Sequence, residues 1–442
     1  MGAPAKPPNN GLGECIEQQW KAHCPNLSRK ELAFKLRISE RTLSSWIRSV
    51  PNELNMFQGN IIPLCKFLNR DRYYALRAYR SPASDYKDAM SVSSQSLSNA
   101  FSDDGKKIKL VDEELLVFYG EDELYNCQFG NVEYVIPVVR IYEPTFGTDN
   151  DSVSFTLENS QFVIDPEISK VTEEFEKKAK DNPYNHNGAT VRLASFKKSK
   201  SGFRGRLQPA TYFDAIRTNF IPDARIPELG NKSLREYYHG NGRRLPPLHA
   251  DKFANHIGVV AMVESSDGYL IIQKRSNKVI GRTKTLSASA SGVLDLTRIM
   301  GTLRFRKKLT LGDMFYDGMK VEINDELGIN ENSAYCLGIF RELQRGGKPE
   351  IYFYVKSALD RHGILRSHKI ADEVWETDDL IFQPLNSGFM ISQEGVLSES
   401  IIDAWVNDNY QKYSEISANL TLKLGILLIG EYVRSRYKSI AH

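Results

Sequence analysis

The sequence predicts a multidomain α+β protein with a helical front domain, a β-rich middle, an α/β block and two closing helices. Three observations carry that expectation. A chain of 442 residues is too long for one ordinary core. Runs rich in Val, Ile, Tyr and Phe, separated by Gly and Asp/Asn turns, occupy the stretch from Lys107 to about Ile164 and read as strands. From near Asn255 the pattern alternates strand, strand, helix, strand, strand.

Composition excludes several classes. Hydrophobic residues make up 41% and charged residues 26%, which is ordinary for a globular chain. The 58 basic residues nearly cancel the 55 acidic ones, so any nucleic-acid contact has to come from a local patch. Cys15, Cys24, Cys65, Cys127 and Cys336 are scattered without CxxC spacing, which suits a reducing compartment and offers no zinc framework. Met1–Asn10 is Pro-rich and lacks an apolar h-region. Leu420–Ile429 is interrupted by Lys423 and is too short to span a bilayer. A cytoplasmic protein without a membrane partner is expected.

Residues 11–80 are dense in helical pattern. Ser28–Glu31 forms a capping box that opens a helix with apolar Leu32, Ala33 and Leu36. Arg37-Ile38-Ser39 then turns, and Ser39 caps a second helix over Glu40–Arg48. The string Lys30–Ile47 resembles the phage-repressor class of helix-turn-helix domains, with Ala33, Ile38, Leu43 and Trp46 at that class's buried positions. Arg37 stands where the class prefers glycine. The resemblance implies DNA binding through residues 28–48, with Arg41, Thr42, Ser45 and Arg48 facing bases or phosphates. A bundle of that shape used for protein contact is the alternative.

Residues 81–106 are Ser-rich and read as a linker. Residues 107–250 read as a β-rich accessory domain. Its candidate strands are Glu114–Tyr119, Val132–Tyr142 and Ser152–Ile164, followed by a helix over Ser169–Lys180 and further pieces at Thr190–Phe196 and Pro209–Asn219. Arg192, Arg204 and Arg206 beside Tyr212 and Phe213 suit either a ligand wall or strand residues next to a structural core. His239, His249 and His256 are spaced too loosely to read as a metal site.

The α/β block, residues 251–395, holds strands at Ile257–Val263, Tyr269–Lys274, Cys336–Leu343 and Ile351–Lys356 around a helix over Asp313–Leu327. Gly312-Asp313 marks the helix start and Gly328 its end. Glu322, Asp325 and Glu326 stand at i, i+3 and i+4, so they share one face. Like charges at that spacing cost about 0.2–0.5 kcal/mol per pair, and a divalent cation would reverse the sign. Oxygen ligands of this kind suit Mg²⁺ or Mn²⁺. A solvated acidic face is the plainer reading.

The stretch Gly312–Ile329 resembles the box of the Nudix hydrolase family, G-x5-E-x7-R-E-U-x-E-E-x-G-U with U aliphatic. Its tail matches Val321–Ile329 except that Val321 replaces the arginine and Asp325 the first residue of the acidic pair. Asp313 falls at the first glutamate and Lys307 at the opening glycine. Ser291-Gly292 is the candidate for the family's Ser-Gly-Gly turn, with an insertion before Gly312. Gln273-Lys274-Arg275-Ser276 resembles the family's polar strand end. The resemblance implies an α/β/α sandwich and metal-dependent hydrolysis of a nucleoside diphosphate derivative or other nucleotide. It also implies that Glu322, Asp325 and Glu326 are the metal ligands, with Glu322 and Glu326 catalytic. Glu350, Glu373 and Glu376 are the candidates for a loop general base. Loss of the arginine leaves Asp313 without its usual partner, and a basic residue of Leu303–Leu309 could substitute. Arg304, Arg306, Lys307 and Lys308 there suit a grip on substrate phosphates or RNA, or a solvated strand. A nucleotide-sensing DNA-binding regulator with a weakly active or inactive Nudix domain is the alternative function.

Arg341–Glu350 reads as a polar turn between two strands. Residues 396–442 read as helices over Ser398–Asn409 and Tyr413–Tyr437. Ile416, Leu420, Leu424 and Leu427 form an apolar stripe there, suited to a core or to the seam of a homo-oligomer.

Overall fold

The structure, a computed structural model, describes residues 27–35, 39–48, 97–101, 107–112, 115, 118–119, 124–144, 153–181, 187–240, 244–276, 285–385, 399–415 and 418–440. The protein is mixed α+β with several sheets. Among the described residues, no helix is long and apolar enough to cross a membrane.

An eight-stranded central sheet organises the molecule. Its main path runs Leu286–Ser287, Tyr269–Arg275, Gly258–Glu264, Lys348–Lys356, Tyr335–Glu342 and Val138–Tyr142. Ala290–Val293 pairs with Gly258–Glu264, and Thr377–Pro384 with Tyr269–Arg275. Gly258–Glu264 and Lys348–Lys356 run parallel in its middle and are buried almost throughout. Such strands read as continuous apolar runs because both faces are covered.

Strand alternation sends side chains to two different cores. Val259, Ala261, Val263, Ile351, Phe353 and Val355 pack with Met314, Met319, Ile323 and Leu327 of the acidic helix. Val260, Met262, Tyr352 and Tyr354 pack with Trp405, Tyr410, Leu424 and Leu428 of the C-terminal helices. Each such fully buried side chain contributes about 1.5–3 kcal/mol. The sheet thus has a helical layer on either side. The C-terminal helices, Glu399–Glu415 and Leu420–Ile440, form one of them. Leu420–Ile429 is buried on every side, so an apolar stripe understates it; a helix that is hydrophobic all round belongs inside. Ile416 lies outside the described residues.

A four-stranded side sheet is ordered Leu309–Thr310, Val153–Leu157, Gly202–Thr211 and Ala189–Ser199. Leu309 comes from the insertion before the acidic helix and pairs with Phe155. Val138–Tyr142 meanwhile joins the central sheet through Tyr335–Glu342. Both sheets therefore mix strands from before and after residue 250.

Several expected elements differ. Among Glu114–Tyr119, the described Leu115, Phe118 and Tyr119 are helical rather than extended. Asp112 at φ 53° ends the preceding strand, and Leu115 N–H donates to its carbonyl at 2.9 Å, starting a turn. Val132–Tyr142 is two strands, separated at Pro137, which has no N–H for a ladder. Pro209–Asn219 finishes a strand before its short helix, Tyr212–Ile216, begins at the Thr211 cap. Leu97–Phe101, inside the Ser-rich stretch, is a strand paired with Lys107–Val111. The polar Arg341–Glu350 turn lies between two strands as expected, and its polar side chains Arg341, Glu342, Gln344, Lys348 and Glu350 are buried.

At the front, helices over Arg29–Lys35 and Glu40–Arg48 pack together, with Leu32, Ala33 and Leu43 buried. Ser28 and Glu31 make the expected capping box. Arg41 is exposed on the second helix. Arg37, Ile38 and the side chains of Thr42, Ser45, Trp46 and Arg48 lie outside the described residues.

Candidate functional site

The acidic helix is built in three pieces, Leu311–Met314, a π-turn over Phe315–Met319, and Lys320–Leu327. Thr310, not Asp313, is its N-cap. Thr310 Oγ1 accepts the Asp313 N–H at 3.2 Å, while the Asp313 carboxylate accepts the Thr310 N–H at 2.8 Å. The helix begins one residue before the Gly312-Asp313 boundary because a capping box satisfies two free N–H groups at once. The π-turn adds a residue to one turn and so rotates Lys320–Leu327 about the helix axis, a feature frequent at functional sites.

Gly328 ends the helix at φ 69°, with the Ser367 carbonyl oxygen 2.4 Å from where a Cβ would stand. Both the conformation and the space demand glycine there.

Glu326 is fully buried. Gln273 Nε2–H donates to its Oε2 at 2.6 Å, and Ser291 N–H to its Oε1 at 3.0 Å. His368 Nδ1 lies 2.7 Å from its carbonyl oxygen. Burial pushes the Glu326 carboxyl well above the usual range, and the nearby Glu376 and Glu322 add to the push. Glu322 lies over Gly292: a Cβ at that glycine would stand 1.9 Å from its carboxyl carbon. Burial, reinforced by Glu373 and Glu376, raises Glu322 to about 8. Asp325 is half-buried, and its carbonyl accepts the Glu373 N–H at 2.8 Å.

That last hydrogen bond ties the segment carrying Glu373 and Glu376 to the helix. Burial and then Glu376 raise Glu373 to about 7. Burial raises Glu376 as well, against the pull of Arg275, whose Nη2 lies 3.9 Å from its Oε2. Glu322, Asp325, Glu326, Glu373 and Glu376 therefore form one crowded group.

Glu350 does not join it. Its neighbours Ile351 and Phe353 face the acidic helix, which sends Glu350 to the other side of the sheet, where it pairs with Lys348 against Gly258. Arg306, in the segment before Leu309, forms a 2.6 Å ion pair with Asp313. Arg304, Lys307 and Lys308 are exposed.

Among the described residues, no group of three or more His, Cys, Asp or Glu side chains is drawn together tightly enough to hold an ion as it stands. The chemistry of the donor set nevertheless fits a hard divalent cation: the donors are carboxylate oxygens, and each raises its neighbours' affinity for protons. A cation in that place removes the repulsion that protons otherwise remove.

Sequence reasoning had no signal for Gln273 and Ser291 as partners of Glu326, beyond their place in a polar strand end and a candidate turn. It also left Arg192 open, and the structure buries it as a structural group. Its guanidinium donates to the carbonyls of Asp251 at 2.7 Å and Phe253 at 3.3 Å. Arg204 and Arg206 are exposed.

No protein-family model matches the chain, and no curated protein matches it. Among solved structures it is similar to the crystal structure of DR0079 from Deinococcus radiodurans, at 14% identity and a TM-score of 0.25, over 39% of this chain and 80% of that one.

Proposed function

We propose that the protein is a Nudix-type, metal-dependent hydrolase of a nucleoside diphosphate derivative. The observation that carries this reading is the convergence of Glu322, Asp325 and Glu326 with Glu373 and Glu376 at one end of the central sheet. Glu322, Asp325 and Glu326 would hold Mg²⁺ or Mn²⁺, which neutralises a pyrophosphate and lowers the pKa of bound water.

The chain's own groups prepare the site. Gln273 and the Ser291 amide fix the Glu326 carboxylate in one rotamer, and Gly292 makes room for Glu322. Glu373, raised to about 7, is the better placed general base, since a base is most effective near the working pH. The ion pair of Arg306 with Asp313 anchors the start of the helix against the insertion.

A panel of nucleoside diphosphate derivatives with Mg²⁺ or Mn²⁺ tests the proposal. Turnover is expected to fall about 10²–10⁴-fold in Glu326→Gln, the range for loss of a positioned catalytic group. Unchanged turnover in that variant would remove the acidic helix from the reaction.

The second reading is a nucleotide-sensing DNA-binding regulator. It is favoured by the packed helix pair at the front, which leaves Arg41 exposed on the second helix. Nucleotide-dependent DNA binding without turnover would select it.

A further inference from the structure

The insertion that contributes Leu309 to the side sheet also carries an exposed aromatic ring. Phe305 is 89% exposed between Arg304 and Arg306, and Tyr316 on the acidic helix is 55% exposed. Both line a cleft of about 630 Å³ whose floor includes Phe315 and Phe353 and whose walls offer Asn332, Ser333 and Asp317. That volume suits a small planar ligand. None of the five clustered carboxylates lines it, so it is distinct from the proposed hydrolytic site. Lys320 Nζ sits 4.3 Å from the centre of the Tyr316 ring and covers one of its faces; the Phe305 ring and the other face of Tyr316 call for a partner with a flat apolar face.

Thr310 links this cleft to the solvent face of the side sheet. It lines the cleft and sits in register with Ser154, which pairs with Arg204, which pairs with Lys197. Two residues along, Thr156, Arg206 and Ser195 form a second row. Adjacent strands are about 4.8 Å apart, so the first row extends about 14 Å from the cleft's edge to Lys197. The opposite face of the same strands is apolar, with Val153, Phe155, Leu193 and Leu207 in the core.

The charge of the sheet face is one-sided, while in the cleft Asp317 stands as a carboxyl outside the Arg306–Asp313 pair. Arg206 pairs with Glu158 and Arg306 with Asp313. Arg204 and Lys197 on the sheet face, and Arg304, Lys307 and Lys308 in the segment before Leu309, have no carboxylate partner among the described residues and are exposed, whereas Lys198 is in register with Phe203 on the opposite face. A row of uncompensated cations leading to exposed rings matches a chain of phosphates bearing unstacked bases. Duplex DNA lacks the free base faces, and an acidic peptide would leave the rings unused.

We propose that the Phe305–Tyr316 cleft and the solvent face of the side sheet together bind single-stranded nucleic acid. Bases stack on Phe305 and Tyr316, and the backbone follows Arg204 and Lys197. The proposal does not depend on hydrolysis at the carboxylate group.

Anisotropy titration of the full-length protein against fluorescein-labelled oligouridylate and oligothymidylate tests it. Phe305→Ala is expected to weaken binding about 5- to 150-fold, the equivalent of one lost base stack. Lys197→Glu with Arg204→Glu is expected to lower the slope of log affinity against log salt by about 1.4, the share of two phosphate contacts. Lys170→Glu with Lys177→Glu, both exposed on the helix Pro166–Lys180, changes net charge by the same amount and controls for it. These positions are exposed, and unchanged thermal melting would show that the variants fold. No binding of either oligomer, or binding indifferent to Phe305→Ala or to the paired sheet substitution, would overturn the proposal. So would equal competition by duplex or by polyglutamate.

Discussion

Two polar interiors lie within the molecule, and they are built on opposite plans. Around the acidic helix, Glu322, Glu326, Glu373 and Glu376 crowd together with Arg275 at their edge. On the far side of residue 250, Arg235 grips Asp223 with paired hydrogen bonds of 2.6 and 2.9 Å, and its other N–H groups reach Tyr119 and the Leu343 and Gln344 carbonyls. Arg341 donates to Asp251 at 2.6 Å, and His239 Nδ1 lies 2.8 Å from the Tyr119 hydroxyl. The second interior balances its charges and joins the accessory segment to the central sheet. The first gathers more carboxyls than cations, and burial holds them protonated above the usual carboxylate range. Strongly shifted groups gathered in one place mark a candidate functional site.

The largest expected effects separate the two in kind. Arg235→Ala removes the bidentate partner of Asp223 and should destabilise the fold by about 3–5 kcal/mol in chemical denaturation. Glu326→Gln, at an equally buried position, should cost catalysis heavily and stability little, because it relieves repulsion. Equal destabilisation by both would end the distinction.

Next comes the response to cation. Mg²⁺ or Mn²⁺ at one hundred times its dissociation constant should stabilise the wild type by about 2.7 kcal/mol in thermal melts. The same addition should leave a variant with both Glu322→Gln and Glu326→Gln unmoved.

Acidity should act on the two interiors in opposite senses. Glu322 and Glu373 are raised to about 8 and about 7, above their ordinary carboxylate values. Their contribution in the metal-free protein is therefore full in acid and lost as pH rises towards 8. In the balanced interior, burial alone would raise Asp251, but His239 and Arg341 hold it below the usual range, and burial lowers His239. That contribution is present at neutral pH and lost on acidification below the ordinary histidine range. Melting across pH, with Glu322→Gln and Glu373→Gln to flatten the alkaline limb alone, resolves the two.

The smallest effect concerns the insertion. Arg306 is more than half exposed in its pair with Asp313, so Arg306→Ala should cost at most about 1 kcal/mol of stability. A much larger loss would show that the pair holds the helix start, which the Thr310 cap otherwise secures.

Much of the architecture was legible in the residues alone. Gly328 announced the end of the acidic helix, the i, i+3, i+4 spacing placed three carboxylates on one face, and the apolar runs at Gly258–Glu264 and Lys348–Lys356 read as strands. Other features were not. Glu350, Glu373 and Glu376 look alike in sequence, and only the sheet's two faces separate the first from the others. Glu114–Tyr119 carries the composition of a strand, yet Asp112 in the left-handed region turns the chain into a helix first.

Local chemistry alone therefore determined where helices cap, where strands alternate and which carboxylates share a helical face, because those depend on neighbours within a few residues. Tertiary structure decided which strands cross from one segment into another's sheet, which helices cover its second face, and that Arg306 meets Asp313. It also decided that Glu373 joins Glu322 while Glu350 pairs with Lys348. Those outcomes rest on contacts between residues far apart in the chain, where burial and charge balance are settled only once the layers have packed.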